Sequence, residues 1–158
     1  MILVVGTGRT GTSDVARILE ELGVMMGHQF HLPDEFNPNG YFEDKEFQGL
    51  NVLFVLLGLN DKPNEEKWGL WRRQFEKLLR KRKEPWGLKD PGMADFDTLL
   101  DEYLKLEPHV IWCKRDKKSA VQSYVKMKKV PQEEAERIYD KRYKLLESKI
   151  KDYLRNRS

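Results

Sequence analysis

Short apolar runs alternate along this chain with longer stretches of helical periodicity. Residues 2–5 (ILVV) are aliphatic at every position, the pattern of a strand buried on both faces of a parallel sheet. Residues 86–89 (WGLK) also read as a strand, residues 109–113 (HVIWC) as another apolar strand, and residues 24–26 (VMM) as a short further one. Between them lie the helical patterns. Residues 13–22 place Val15, Ile18, Leu19 and Leu22 on one face and stop at Gly23. Residues 43–59 read as a mostly buried helix. Residues 68–83 carry Trp71, Phe75, Leu78 and Leu79 on one side and end in the basic run RKRK. Residues 96–106 and 117–128 are helical, the latter with Asp116 as N-cap. A last long helix runs from Pro131 to about residue 156, with an apolar stripe of Tyr139, Tyr143, Leu146, Ile150 and Tyr153. Residues 27–42, rich in Gly, Pro and Asn, read as a loop, and residues 61–66 as a polar link.

Strands alternating with helices predict a helix-rich, three-layer α/β fold, a parallel sheet with flanking helices. With 158 residues the chain is expected to form a single domain over 1–158, the last helix being a C-terminal extension. Ligands of such sheets sit at the carboxyl ends of the strands. Three polar clusters fall at strand ends here, residues 6–13, 89–92 and 115–123, so one active site is expected where they meet.

Composition narrows the function classes. Charged residues make up 35% and hydrophobic ones 39%, as in a soluble globular protein rather than a disordered or membrane one. The net charge of +3 gives no case for nucleic-acid binding, so any anion site must be local. The single cysteine, Cys113, excludes an internal disulfide framework, and no Cys/His cluster has zinc spacing. The longest apolar run, residues 50–59, is too short to span a bilayer, and no secretory core precedes the first strand. A reducing, cytoplasmic setting is expected, with no membrane partner.

The candidate chemistry begins in the first loop, GTGRTGTS over residues 6–13. Three glycines between a strand and a helix let backbone N–H groups turn toward an anion, and the helix N-terminus adds its positive end. The spacing of Gly6 and Gly11 matches a Walker A loop, but Thr12 replaces the lysine. The same glycines satisfy G-x-G-x-x-G, yet no acidic residue ends a second strand about twenty residues on. The glycines alone leave three classes open.

The segment Gly8-Arg9-Thr10-Gly11-Thr12-Ser13 resembles the 5′-phosphosulfate loop of sulfotransferases that use 3′-phosphoadenosine 5′-phosphosulfate (PAPS), in which the basic residue stands inside the loop. Arg115, at a strand end, with Ser123 eight residues later, resembles that family's second motif, which holds the 3′-phosphate. Residues 37–44 (NPNGYFED) and 86–91 (WGLKDP) resemble segments of small bacterial sulfotransferase-like proteins, although Gly92 stands where an arginine is frequent. The likeness runs from residue 1 to about 128.

This resemblance implies a P-loop NTPase-like fold and a PAPS-dependent sulfotransferase that releases adenosine 3′,5′-bisphosphate (PAP). It implies that residues Gly8 to Ser13, with Arg115 and Ser123, bind the cofactor. It further implies in-line sulfuryl transfer without a metal, positioned and stabilised by charge. Arg9 would stabilise the leaving 5′-phosphate, and Lys89 would reach the sulfuryl group or the bridging oxygen. Glu43 is the first choice for the base, with Asp90, His28 and His31 as alternatives. The acceptor is expected to be a hydroxyl or amine of a small molecule or glycan, met by the loop aromatics Phe30, Phe36, Tyr41 and Phe42. The last helix is a possible homo-oligomer contact. Two other readings stay open: a P-loop kinase of a small metabolite or nucleotide using Mg-ATP, and a non-catalytic PAPS- or nucleotide-binding module.

Overall fold

The structure, a computed structural model, describes residues 1–61 and 64–157. It is an α/β fold with a three-stranded parallel sheet. Strand β1 (Ile2–Gly6) lies in the middle, between β2 (Gly87–Lys89) and β3 (His109–Cys113). Ile2 stands opposite both Gly87 and His109. Helices α1 (Thr12–Glu21), α2 (Lys45–Leu56) and α3 (Glu65–Leu79) lie between β1 and β2 in the chain, and α4 (Asp97–Leu104) between β2 and β3. Helices α5 (Lys117–Lys128) and α6 (Gln132–Arg155) follow β3.

Because β1 is apolar at every position, it serves two cores at once. Leu3 and Val5 point into the larger one, with Phe47, Phe54, Trp71, Phe75, Leu88, Leu100, Tyr103 and Leu146. Val4 points the other way, onto Ala16, Val24 and Met26. The larger core is aromatic. Trp71 stacks on Phe75 at 4.8 Å between ring centres and meets Phe54 edge-on at 5.7 Å. Its buried indole N–H is satisfied by the Leu50 carbonyl at 3.0 Å.

Several expected boundaries shift, each for a local reason. Residues 24–26 do not form a strand. After Gly23, at φ +88°, only Met25 pairs with the sheet, through one parallel bridge to Trp86. The Met26 amide then turns to the Glu20 carboxylate at 2.9 Å. The strand expected over 86–89 begins at Gly87. Helix α2 starts at Lys45 because Asp44 caps it, accepting from the Glu46 N–H at 2.8 Å. Helix α3 starts three residues before Trp68, because Asn64 accepts from the Lys67 N–H at 3.0 Å.

Helix α3 also ends at Leu79, so the basic run 80–83 lies beyond it and is not all solvated. The Arg82 side chain is 2% exposed, in an ion pair with Asp44 at 2.9 Å and lying over the Phe47 ring. Helix α4 is shorter at both ends than residues 96–106. Helix α5 and its Asp116 cap are as expected, the cap accepting from Ser119 N–H at 2.9 Å. The polar link expected over 61–66 lies partly outside the described residues. No helix among the described residues is long and apolar enough to cross a membrane.

The stripe on α6 is used inside the chain. Leu146 and Ile150 are buried in the larger core, and the Tyr153 hydroxyl donates to the Pro108 carbonyl at 2.6 Å. Leu154 remains exposed. Leu146→Ala is therefore expected to cost about 2–5 kcal/mol of stability, the usual range for emptying a fully buried site. Urea unfolding would read the loss as a lowered midpoint; an unchanged midpoint would mean that α6 is not part of the core.

Candidate active site

The three polar clusters meet in one cleft of about 730 Å³ at the carboxyl ends of the strands. The β1–α1 loop forms its floor. Gly8, Arg9 and Gly11 all take positive φ, at +92°, +57° and +83°. Such a loop folds its carbonyls outward and leaves its amides exposed to a ligand. From Gly8 to Asp14, no amide N–H has a hydrogen-bond acceptor among the described residues. The hydroxyls of Thr7 and Thr10 are buried and likewise without a partner. Seven consecutive free N–H groups at a helix start form a cradle for an anion.

Lys89 projects from the end of β2 beside this cradle. It is 2% exposed, and a buried ammonium must give each of its three N–H donors an oxygen. It does so: Glu43 Oε1 lies at 2.5 Å, the Tyr41 carbonyl at 2.8 Å and Ser13 Oγ at 3.1 Å. Burial pulls the Lys89 ammonium below its usual range, and the Glu43 carboxylate pulls the other way.

Arg9 spans from the loop to both walls. Its Nε donates to Ser123 Oγ at 2.9 Å and its Nη2 to the Phe36 carbonyl at 2.9 Å. Arg115 lines the cleft and donates to the Arg9 carbonyl at 3.3 Å. Thus Arg115 and Ser123, expected as a pair at a 3′-phosphate, are both joined to Arg9. Ser123 does not itself line the cleft.

The wall opposite is the 27–42 loop. Asp34 holds it in a turn by accepting from the amides of Phe36 and Asn37 and from the Tyr41 hydroxyl, the last at 2.6 Å. Burial and this bond push the Tyr41 hydroxyl up to about 12. Asn37 donates to Ser13 Oγ at 2.9 Å, which docks the turn on α1. The second oxygen of Glu43 accepts from the Gln48 amide, and Gln48 Oε1 meets His31 Nε2 at 2.5 Å.

The candidate bases therefore separate. Glu43 and His31 line the cleft and are linked through Gln48. His28 is exposed outside the cleft lining and gives only its backbone N–H, to Asp44. Asp90 lines the cleft but is 8% exposed, with both oxygens turned inward. It accepts from Asn51 Nδ2 at 2.7 Å and from the Gly92 N–H at 2.8 Å. Behind Asn51, the Tyr103 hydroxyl donates at 2.7 Å. Burial, and then the Glu43 charge, push the Asp90 carboxyl up.

Asn51, Tyr103, Gln48, Asp95 and Arg142 were missed from the sequence. Two of them left a legible sign. Asn51 stands with Phe47, Leu50 and Phe54 on the buried face of α2. Arg142 lies three residues after Tyr139 and four before Leu146, on the apolar stripe of α6.

The raised Asp90 carboxyl binds its proton more tightly in the folded than in the unfolded chain. Its contribution to stability is therefore favourable at low pH and is lost as pH rises from the ordinary carboxylate range through the raised value. In Asp90→Asn this pH dependence should vanish. Asn51 can turn its amide over, and the Tyr103 hydroxyl reverse, to keep the bonds. Thermal melts of both proteins from about pH 4 to 8 would check it, the wild type losing ground against the variant as pH rises. Parallel curves would remove the buried charge from the site's energetics. No protein-family model matches this chain, and no curated protein matches it.

Proposed function

We propose that the protein is a sulfotransferase with a P-loop NTPase-like fold. It moves a sulfuryl group from PAPS to a hydroxyl or amine of a small molecule or glycan. The observation that carries this reading is the cradle: seven unpaired amides from Gly8 to Asp14 with Arg9 and a buried Lys89 at its rim. Such a cradle fits a phosphate ester. The orphan hydroxyls of Thr7 and Thr10 add donors beneath the loop.

PAPS supplies the sulfuryl group, bonded to a phosphate oxygen. The loop amides and Arg9 would hold that phosphate and stabilise the negative charge it takes up as leaving group. Lys89, now bonded to Glu43, would turn to the sulfuryl oxygens or the bridging oxygen. The acceptor oxygen or nitrogen forms the new bond to sulfur, and its proton goes to Glu43. Arg115, after the end of β3, and Lys128, at the end of α5, line the cleft and would offer charge to the 3′-phosphate.

A Mg-ATP kinase would use the hydroxyl at the Ser13 position as a metal ligand. Here Ser13 Oγ accepts from Lys89 and Asn37 and donates to the Tyr41 carbonyl at 3.3 Å, so its bonding capacity is filled. An ammonium stands beside it where the kinase reading needs a metal. That supports metal-free transfer over the kinase.

Calorimetric titration with adenosine 3′,5′-bisphosphate, beside ADP with Mg²⁺, tests the donor class. The bisphosphate should bind more tightly than Mg-ADP, and Arg115→Ala should weaken it by about tenfold, the worth of one bond to a charged group. Preference for Mg-ADP, or indifference to Arg115, would sink the sulfotransferase reading. Turnover of an acceptor should fall about 10²- to 10⁴-fold in Glu43→Gln while bisphosphate binding persists. An undiminished rate would take the base role from Glu43. Binding without turnover on any hydroxyl or amine would favour a non-catalytic module.

A further inference from the structure

The last helix reaches the first loop through Arg142, which also lines the cleft. Arg142 of α6 donates from Nε to Asp95 Oδ1 at 2.7 Å and from Nη2 to Asp95 Oδ2 at 2.6 Å, a two-pronged bond. Its Nη1 donates to the Thr7 carbonyl at 3.1 Å. The Arg142 side chain is 11% exposed and that of Asp95 28%. A β-carbon on Gly8 would stand 3.1 Å from this Nη1, so a side chain there would crowd the guanidinium, and φ at Gly8 is +92°.

The geometry has a direct consequence for the loop. In a trans peptide the C=O and the next N–H point in opposite directions. Fixing the Thr7 carbonyl toward Arg142 fixes the Gly8 N–H the other way, at the start of the row of unpaired amides. Arg115 does the same two peptides further on, holding the Arg9 carbonyl and with it the direction of the Thr10 N–H. Asp95 sits in the 3₁₀ turn Pro91–Asp95 that follows Lys89 and Asp90, so the clamp joins the end of β2, the first loop and α6. The Asp95 carboxylate also balances the Arg142 charge, which leaves the guanidinium an orienting part rather than a free cation.

We propose that Arg142, aligned by Asp95, is a positioning residue. It sets the Thr7–Gly8 peptide so that the cradle is pre-formed for a phosphate group. The identity of that group rests on the reading above; the clamp itself does not. A lysine could reach one carbonyl but could not hold Asp95 and Thr7 in one rigid plane.

The test uses the full chain with Arg142→Lys, Asp95→Asn and their double variant. Lys149→Gln serves as control, since Lys149 pairs α6 with Asp101 at 2.6 Å among residues that do not line the cleft. Affinities for adenosine 3′,5′-bisphosphate and for inorganic pyrophosphate are measured beside the melting temperature, and the Gly8 amide resonance is followed during each titration. Each clamp variant should weaken both anions by about tenfold, the double variant no further, and the Gly8 amide shift on binding should shrink. Lys149→Gln should leave affinity unchanged whatever it does to the melting temperature.

Undiminished affinity in Arg142→Lys or in Asp95→Asn, or an equal loss in Lys149→Gln, would overturn the proposal. Should one clamp variant fail to fold, the other decides. Wild type binding pyrophosphate but not the bisphosphate would reject the PAPS reading while the clamp is still judged on pyrophosphate. Binding of neither anion would overturn both.

Discussion

A fully buried ammonium is the constraint around which this molecule is arranged. Lys89 cannot stay charged at 2% exposure without three oxygens, and those oxygens come from two stretches distant from it in the chain, at residue 13 and at residues 41–43. Ser13 brings the start of α1, Tyr41 the end of the long loop, and Glu43 the entry to α2. Satisfying one side chain therefore fixes how the first loop, the 27–42 wall and β2 stand relative to one another. The same demand ties down the 27–42 segment, which is rich in residues that favour irregular backbone. It is held at Tyr41 by Lys89, at Phe36 by Arg9 and at Asn37 by Ser13.

Polar order around the cleft is matched by apolar order beneath it. Strand β1 places Leu3 and Val5 in the aromatic core and Val4 against α1, so the loop that follows Gly6 emerges from a strand packed on both faces. A rigid strand end is what a loop of positive-φ residues needs if its amides are to keep their direction. The buried chain Tyr103–Asn51–Asp90 extends the polar network down into that core, with every member bonded.

The sheet and most helices were legible in the sequence because their periodicity is strong. Residues 2–5 are uniformly apolar, and the stripe from Tyr139 to Tyr153 holds 3.6-residue spacing over four turns. Boundaries were less legible where capping decides them: Asp44 and Asn64 set the starts of α2 and α3 by bonds that hydrophobic spacing does not encode. The run 24–26 looked like a strand by composition, yet Gly23 turns the chain and only Met25 reaches the sheet. In the cleft, Gly8 to Ser13, Lys89 and Arg115 belong to strand-end clusters, whereas Glu43 was named from the resemblance of residues 37–44 and lines the same cleft. Ser123 was placed by spacing, and it meets Arg9. Arg142 and Asp95 are 47 residues apart in the chain and belong to no local pattern. Only an arginine on an apolar stripe hinted at them.

Arg9 has a further consequence, in conformational entropy. A free arginine side chain carries about 2 kcal/mol of rotamer entropy, most of which is lost when it grips an anion. Here Ser123 and the Phe36 carbonyl already hold two edges of the Arg9 guanidinium, and its backbone is locked at φ +57°. That disorder has been removed during folding, so an anion bound here would meet a side chain with little freedom left to lose. Affinity in such a loop comes from stillness as much as from charge.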